Sequence, residues 1–205
     1  MKKLIVISAP SGAGKTSIVH YLLNNMPELS FSISACSREK RFNETNGEDY
    51  YFLSINEFKN KIKANAFLEW EEVYKNQFYG TLKSEIDRIS KQSKICIFDV
   101  DVIGGLNIKK QYIKESLAIF IMPPSVDKLI ERLKNRGSES EESLKIRIEK
   151  AEKEIARHSE FDIVIVNDNF NIACQETKEV ILLIKWMLSK VLNMMVLCLV
   201  LPLVE

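Results

Sequence analysis

The sequence predicts an α/β fold in which helices cover both faces of a parallel β-sheet. Two observations support this prediction. Short, continuous apolar runs, typical of fully buried strands, recur along the chain, and segments with helical patterns separate them. The 205 residues are enough for one sizeable core, and a composition of 46% hydrophobic and 28% charged residues is ordinary for a globular protein.

The first predicted elements flank a glycine-rich turn. Leu4–Ser8 follows a basic start, as the apolar part of a signal peptide does, but it is too short for one and Pro10 interrupts it. We therefore predict a buried strand there. A helix is predicted from Lys15 to about Met26, and Phe31–Ser34 alternates like a short strand.

Capping residues mark the starts of three later helices. The first begins at Ser54, where Glu57 completes a capping box, and extends to about Asn65. The second begins at Ser125 and extends to Leu133. The third begins at Ser138, where Glu141 completes a second capping box, and extends to about His158. The remaining predicted elements are strands at Ile95–Val100, Ser116–Met122 and Asp162–Val166 and helices at Leu82–Lys91 and from Ile172 onward. The polar stretch from about 34 to 90 interrupts the alternation and indicates an insertion into the core.

The net charge of +1 limits the classes of partner. No basic excess indicates binding to nucleic acid or to an anionic membrane, so any positive site is local. Four cysteines, Cys36, Cys96, Cys174 and Cys198, form no CxxC pair, which favours free thiols in a reducing cytosol over a zinc site or a disulfide framework. We expect a cytoplasmic protein, and the sequence leaves open whether it forms a homo-oligomer.

A phosphate-binding loop follows the first predicted strand and opens the first predicted helix. It reads Ala9-Pro10-Ser11-Gly12-Ala13-Gly14-Lys15-Thr16, with Ala at the position where the strict motif begins with Gly. Its backbone N–H groups would cradle nucleotide phosphates, Lys15 would reach the β- and γ-phosphates, and Thr16 would bind Mg²⁺. The alternative is a turn that merely joins strand to helix. The strand–loop–helix context favours a P-loop NTPase-type core that binds ATP or GTP.

Two acidic residues close the strand predicted at Ile95–Val100. Ligands of open parallel sheets gather at the carboxyl ends of the strands. Asp99 could therefore orient Mg²⁺, directly or through water, and Asp101 could reach a second nucleotide. The alternative is an aspartate that caps a turn after the strand.

Further motifs along the chain resemble those of the guanylate kinase family. They are Ser34–Arg41, Asn46–Phe52, Phe67–Trp70, Phe78–Thr81, Asp99–Asp101, Pro123–Ser125, Arg132 to Gly137, and Val166–Asp168. Each motif is weak separately, but together they are highly specific, and the resemblance covers residues 3 to about 185. Cys36, Ile103 and the pair Phe42-Asn43 depart from the family pattern.

The resemblance implies an acceptor site for GMP, and for dGMP, in the insertion at 34–90. The implied phosphate ligands are Arg38, Arg41, Tyr50 and Tyr79, the implied guanosine ligands are Glu69, Thr81, Ser34 and Asp101, and Ser37 is a further implied GMP contact. Guanidinium groups match phosphate oxygens, although by itself the pair Arg38 and Arg41 is also typical of a solvated surface. Glu69 would accept hydrogen bonds from guanine N1–H and the 2-amino group, and Thr81 would face O6.

The resemblance also implies a helical lid over about 131–157. Arg132 and Arg136 are four residues apart, so they would point the same way from one helix, and Arg147 follows on the next helix. With Lys15 and Arg38, these arginines would form the catalytic set that neutralises the transferring phosphoryl group. The alternative is a salt-bridged helical hairpin involving Glu131, Glu141 and Glu142.

The expected reaction is ATP-dependent, Mg²⁺-assisted, in-line phosphorylation of GMP to GDP, serving purine nucleotide metabolism and GMP recycling. No general base is expected, because the acceptor is an ionised phosphate oxygen. Asn167 and Asp168 would line the donor adenine. Two alternatives remain, namely a kinase for another nucleoside or ribosyl monophosphate and a non-catalytic module that binds phosphopeptides. The Lys15-Thr16 pair and the lid arginines argue against the module.

The expected domain occupies 1–190, with its core at 1–33, 91–130 and 158–190, and an apolar tail follows at 191–205. Val191–Val204 is shorter than the ~20 residues needed to cross a bilayer. Three interpretations of this tail remain, namely packing on the core or on a partner, poor order, and membrane contact. Membrane contact is the least favoured.

Overall fold

The computed structural model describes residues 4–134 and 141–184. In chain order its elements are β1 (Leu4–Ser8), α1 (Lys15–Asn25), β2 (Leu29–Phe31), β3 (Ser34–Cys36), β4 (Tyr51–Phe52), α2 (Ile55–Lys63), β5 (Phe67–Tyr74), β6 (Gln77–Leu82), α3 (Ser84–Lys91), β7 (Ile95–Val100), α4 (Val102–Gln111), β8 (Ser116–Met122), α5 (Val126–Lys134), α6 (Glu141–Ile155) and β9 (Ile163–Val166). A final helix, α7, covers 170–184.

The central sheet has five parallel strands in the order β2–β7–β1–β8–β9, which confirms the predicted fold class. Its residues alternate between two faces. Ile5 and Ile7 pack in one apolar cluster, and Leu4 and Val6 pack in another on the opposite side. Helices therefore cover both faces, and the carboxyl ends of the strands form one open edge.

The insertion contains a second sheet of four strands, in the order β4–β3–β6–β5. Helix α2 covers it, with the Phe58 ring stacked 4.4 Å from the Phe67 ring and 5.4 Å from the Phe78 ring. The predicted capping box is confirmed, since Ser54 and Glu57 bond each other's backbone N–H groups. The sequence analysis placed no strands at β5 and β6.

The single strand predicted at Phe31–Ser34 is wrong. The backbone N–H of Ser32 donates to Ile97 in the central sheet at 2.9 Å, whereas Ser34 pairs with Thr81 in the second sheet. The chain crosses from one sheet to the other within these four residues. Local alternation cannot reveal such a crossing, because it reports only which side chains are half-buried.

Helix α4 was not predicted, because Gly104 and Gly105 lower its helix propensity. Asp101 caps it, accepting a 2.7 Å hydrogen bond from the Gly104 N–H. A Cβ atom on Gly105 would lie 2.1 Å from the Ser8 hydroxyl, so the glycine lets α4 approach β1 closely. Of the two aspartates at the end of the strand, Asp101 is therefore the one that acts as a cap, and Asp99 is not.

The ends of some predicted helices shift. The helix predicted at Leu82–Lys91 begins at Ser84, because Leu82 still pairs with Phe67 in the second sheet. Ser138 of the second predicted capping box lies outside the described residues, as does the tail at 191–205. In the part of the chain that the structure covers, no helix has both the length and the apolar character to span a membrane.

Candidate active site

The phosphate-binding loop connects β1 to α1 at the open edge of the central sheet. Gly12 and Gly14 adopt positive φ angles of 91° and 92°, a backbone conformation that other residues rarely tolerate. The loop residues Ala9, Pro10, Ser11, Gly12, Gly14, Lys15 and Thr16 line a cleft of about 530 Å³. The predicted loop therefore opens directly onto a cleft large enough for a nucleotide.

Lys15 of the loop contacts Asp99 at the end of the neighbouring strand β7. Strand β1, which leads into the loop, pairs with β7 so that Ile7 lies beside Asp99. This pairing brings the side chains of Lys15 and Asp99 together. Their exposed fractions are 18% and 11%. Burial lowers the pKa of Lys15 to about 8, against the opposing effect of the Asp101 and Glu154 carboxylates. Phosphate oxygens in the cleft would raise this pKa again and so favour the charged form of Lys15 further.

The donor set near the loop fits Mg²⁺ brought in with a nucleotide. The exposed Thr16 hydroxyl and the Asp99 carboxylate are oxygen ligands, which Mg²⁺ prefers, and nucleotide-bound Mg²⁺ needs only one or two protein ligands besides phosphates and water. Within residues 4–134 and 141–184, no group of three or more His, Cys, Asp or Glu side chains could hold a metal by itself.

Asn167 supports the loop from beneath. Its side chain is buried and donates a 2.7 Å hydrogen bond to the Ala13 carbonyl, and a Cβ atom on Gly14 would lie 2.4 Å from the same amide nitrogen. Arg132 donates a 3.0 Å hydrogen bond to the Asn167 carbonyl. Asp168, the residue after Asn167, is exposed. Of the two residues expected to contact adenine, only Asp168 therefore presents its side chain to solvent.

Three expected guanosine ligands lie side by side on the second sheet. Thr81 of β6 pairs with Ser34 of β3 on one side and with Glu69 of β5 on the other. A β-bulge between Phe67 and Glu69 sets this register. The Thr81 hydroxyl donates a 2.6 Å hydrogen bond to Glu69, and burial raises the pKa of Glu69 to about 7 although the Thr81 bond opposes the rise.

Gly104 lies against the Glu69 carboxylate, and it was not predicted from the sequence as a functional residue. A Cβ atom there would lie 3.1 Å from Glu69 Oε2 and 3.2 Å from Asp101 Oδ1. The missing side chain keeps space between the two carboxylates. The available signal was the Gly104-Gly105 pair itself, because glycines often mark a close approach of the backbone to a neighbouring group.

The expected phosphate ligands Arg38, Tyr50 and Tyr79 form a cluster. The Arg38 guanidinium lies 5.1 Å from the Tyr50 ring centroid, and the Tyr50 and Tyr79 rings meet edge-on at 6.1 Å. Arg38 also donates two hydrogen bonds of 2.6 and 2.5 Å to Glu44, which holds the pKa of Glu44 well below its usual range. Sequence reasoning assigned Glu44 no role.

Two expected GMP contacts, Arg41 and Ser37, lie apart from this cluster. Arg41 is exposed, and its backbone N–H donates to Glu44. The Ser37 hydroxyl donates to the Asn76 carbonyl at 3.0 Å and accepts from the Phe78 N–H at 2.8 Å, so it secures the β5–β6 hairpin.

Helix α6 brings four residues to the cleft, of which three are charged, namely Arg147, Lys150 and Glu154, and the fourth is Ile146. Arg147 was predicted, whereas Lys150 and Glu154 were missed although their spacing of three and seven residues places all three on one helix face. Of the residues in the alternative salt-bridged hairpin, Glu131 pairs with Lys128 at 2.8 Å. Arg136 lies outside the described residues, and nothing is described of the Glu141 and Glu142 side chains.

Comparisons with known proteins agree with this geometry. A family model described as guanylate kinase matches residues 1–183. The guanylate kinase of Porphyromonas gingivalis is 53% identical over 177 residues, covering 86% of this chain and 94% of that protein, and the guanylate kinase of Bacteroides thetaiotaomicron is 49% identical over 179 residues, covering 87% and 88%. The crystal structure of guanylate kinase from Anaplasma phagocytophilum shares the fold, with a TM-score of 0.67 and 24% identity over 86% of this chain and 82% of that one. This chain belongs to the guanylate kinase family.

Proposed function

We propose that this protein transfers the γ-phosphoryl group of ATP to GMP, giving ADP and GDP. The row of Ser34, Thr81 and Glu69 on neighbouring strands carries this proposal, because it aligns a carboxylate and two hydroxyls as a guanine edge requires. The Arg38 cluster on the same sheet supplies the cation for the 5′-phosphate. The same contacts accept dGMP.

The insertion at 34–90 serves as the acceptor segment, and residues of about 131–157 serve as the lid over the core. ATP lies with its phosphates on the loop at 9–16 and its adenine near Asp168. Thr16 and Asp99 would hold Mg²⁺, which would supply positive charge to the phosphate oxygens. Cys36, Cys96 and Cys174 are buried free thiols, which supports a reducing cytoplasm as the compartment.

The chain's own contribution to the chemistry is positioning and charge. The transferring phosphoryl group spreads negative charge over its oxygens, and cations preorganised around it stabilise that charge. We assign this role to Lys15, Arg38, Arg132, Arg136 and Arg147. No side chain has to remove a proton, because the attacking GMP oxygen is already ionised at neutral pH. Closure of the cleft excludes the water that would otherwise hydrolyse ATP.

Glu69 determines the choice of base. An ionised carboxylate needs donors, and guanine offers N1–H and the 2-amino group on one edge. Adenine offers neither there, since its N1 accepts hydrogen bonds and its C2 carries only hydrogen. Sites built around such bonds reject the wrong analogue by roughly 10⁴–10⁵. Thr81 donates to Oε1 of Glu69, whereas Oε2 faces Gly104. The two oxygens of the carboxylate therefore have different neighbours.

The test compares kcat/KM for GMP and AMP in the wild type, Glu69→Gln and Glu48→Gln. Glu48 is exposed in the same insertion and serves as the matched control. We expect the wild type and the control to prefer GMP strongly, and Glu69→Gln to lose most of that preference, because its amide can donate to adenine N1. Wild-type use of AMP within about tenfold of GMP would contradict the proposal.

A further inference from the structure

Three carboxylates, one from each part of the molecule, meet in the cleft. Glu71 belongs to β5 of the insertion, Asp101 caps α4 of the core, and Glu154 lies on α6 of the lid. All three line the same cleft as the phosphate-binding loop. Glu154 is only 7% exposed. Burial and the neighbouring carboxylates raise the pKa of Glu71 and raise that of Glu154 to about 7, so the three groups repel one another.

This carboxylate cluster is unfavourable for a cleft that must hold two nucleotides. Its charge has the same sign as that of the phosphates, and bringing the insertion and the lid together on the core brings the carboxylates closer to each other. Lys15 lies near the cluster, but it contacts Asp99 and belongs to the phosphate-binding loop. Closure therefore requires another positive charge at the cluster.

Lys150 supplies a cation at the centre of this cluster. Its ammonium group lies 3.8 Å from Asp101 Oδ2 and 3.9 Å from Glu154 Oε1. Its charge also lowers the pKa of Glu71, so it acts on all three carboxylates. Lys150 comes one helical turn after Arg147 on the same face of α6, so whatever fixes Lys150 also fixes the direction in which Arg147 approaches the cleft.

We propose that Lys150 is a positioning residue that docks the lid helix onto the core at Asp101 and neutralises the cluster of Glu71, Asp101 and Glu154, so that Arg147 faces the phosphates. The proposal rests on the phosphotransfer reaction proposed above. Lys150 is half exposed, and an isolated ion pair at such a site contributes little to stability. Its effect therefore belongs to the closed, reacting state and not to the folding of the chain.

The test measures kcat, the KM values for ATP and GMP, and the melting temperature for a set of variants. We expect Lys150→Met to lower kcat about tenfold, with both KM values and the melting temperature nearly unchanged. Lys150→Arg keeps the charge and should stay within about twofold of the wild type. Lys153→Met is the matched control, because Lys153 is exposed on the same helix outside the cleft lining, and it should behave as the wild type.

A second-site change separates charge neutralisation from simple packing. Adding Glu71→Gln to Lys150→Met removes one of the repelling carboxylates and should recover several-fold of the lost kcat. Lys150→Gln replaces Lys150→Met if the latter proves insoluble. A Lys150 variant with wild-type kcat, or a double variant no faster than Lys150→Met, overturns the inference. A wild-type protein that does not phosphorylate GMP would instead refute the proposed function.

Discussion

The hydroxyl of Thr81 donates a 2.6 Å hydrogen bond to Oε1 of Glu69, and this bond opposes the effect of burial on the pKa of Glu69. Burial raises the pKa of Glu69 to about 7, from an ordinary value of 4.5. In the proposed function guanine donates to the ionised carboxylate, so we expect bound GMP to lower this pKa again. We therefore expect GMP to bind best above pH 7, where Glu69 is already ionised in the free protein.

We expect the KM for GMP to rise as the pH falls below about 7, approaching tenfold per pH unit. The reason is that Glu69 is increasingly protonated in the free protein and must lose this proton before GMP binds. The measurement is kcat/KM for GMP between pH 5.5 and 8.5 at saturating ATP. The GMP phosphate also titrates near pH 6. Thr81→Val distinguishes the two groups, because losing the hydroxyl raises the pKa of Glu69 and moves the transition to higher pH. An unshifted transition in Thr81→Val would assign it to the phosphate.

Lys15→Met should lose about 10²–10³-fold in kcat, because it removes a cation preorganised for the phosphates. It should also lower the free energy of unfolding by about 1–3 kcal/mol, since the buried Asp99 carboxylate loses its partner. Urea unfolding and steady-state kinetics measure the two effects separately. Adding Asp99→Asn should restore stability without restoring activity. Unchanged stability in Lys15→Met would show that the contact with Asp99 contributes nothing to the fold.

Asn167 and Asp168 should respond differently to substitution. Asn167→Ala removes the bond to the Ala13 carbonyl beneath the phosphate-binding loop, so we expect a loss of about 1–2 kcal/mol in unfolding free energy together with a higher KM for ATP. Asp168→Ala, at an exposed position, should change only the KM for ATP. The comparison requires urea unfolding curves and ATP titrations of both variants. Equal loss of stability in both would contradict the assigned difference.

Glu85 fixes the crossing between the two sheets. It is 1% exposed, and it accepts hydrogen bonds from the Ile33 N–H at 2.7 Å, from the Tyr51 hydroxyl at 2.8 Å and from Arg88 at 2.7 and 2.8 Å. Glu85→Ala leaves these donors without their acceptor, and we expect a loss of about 3 kcal/mol in unfolding free energy.

The same variant should lower kcat/KM for GMP, because Ile33 lies where the chain passes from the core into the insertion. Asp87→Ala, exposed on the same helix α3, is the matched control and should change stability by less than about 0.5 kcal/mol. If Glu85→Ala unfolded at the same urea concentration as the control, the network would have no role in holding the insertion.

The features predicted correctly from the sequence are those written in contiguous residues. The loop at 9–16 needs only a strand before it and a helix after it, and both follow from local patterns. Motif resemblance made Glu69, Thr81 and Ser34 candidate ligands, but it did not show that they lie side by side. That requires pairing of β3 with β6 and of β6 with β5, and such pairing depends on contacts between distant segments.

The amino-acid sequence by itself therefore determined the fold class, the phosphate-binding loop and the family to which the chain belongs. Only the tertiary structure decided that Asn167 supports the loop and that Glu44 accepts hydrogen bonds from the Arg38 guanidinium. It also decided that Glu71, Asp101 and Glu154 lie close to Lys150. The physical reason is that charges and burial act through space. Burial first, and then the neighbouring carboxylates, raise the pKa of Glu154 in the folded chain. These neighbours come from separate segments, and no local pattern encodes the distance between them.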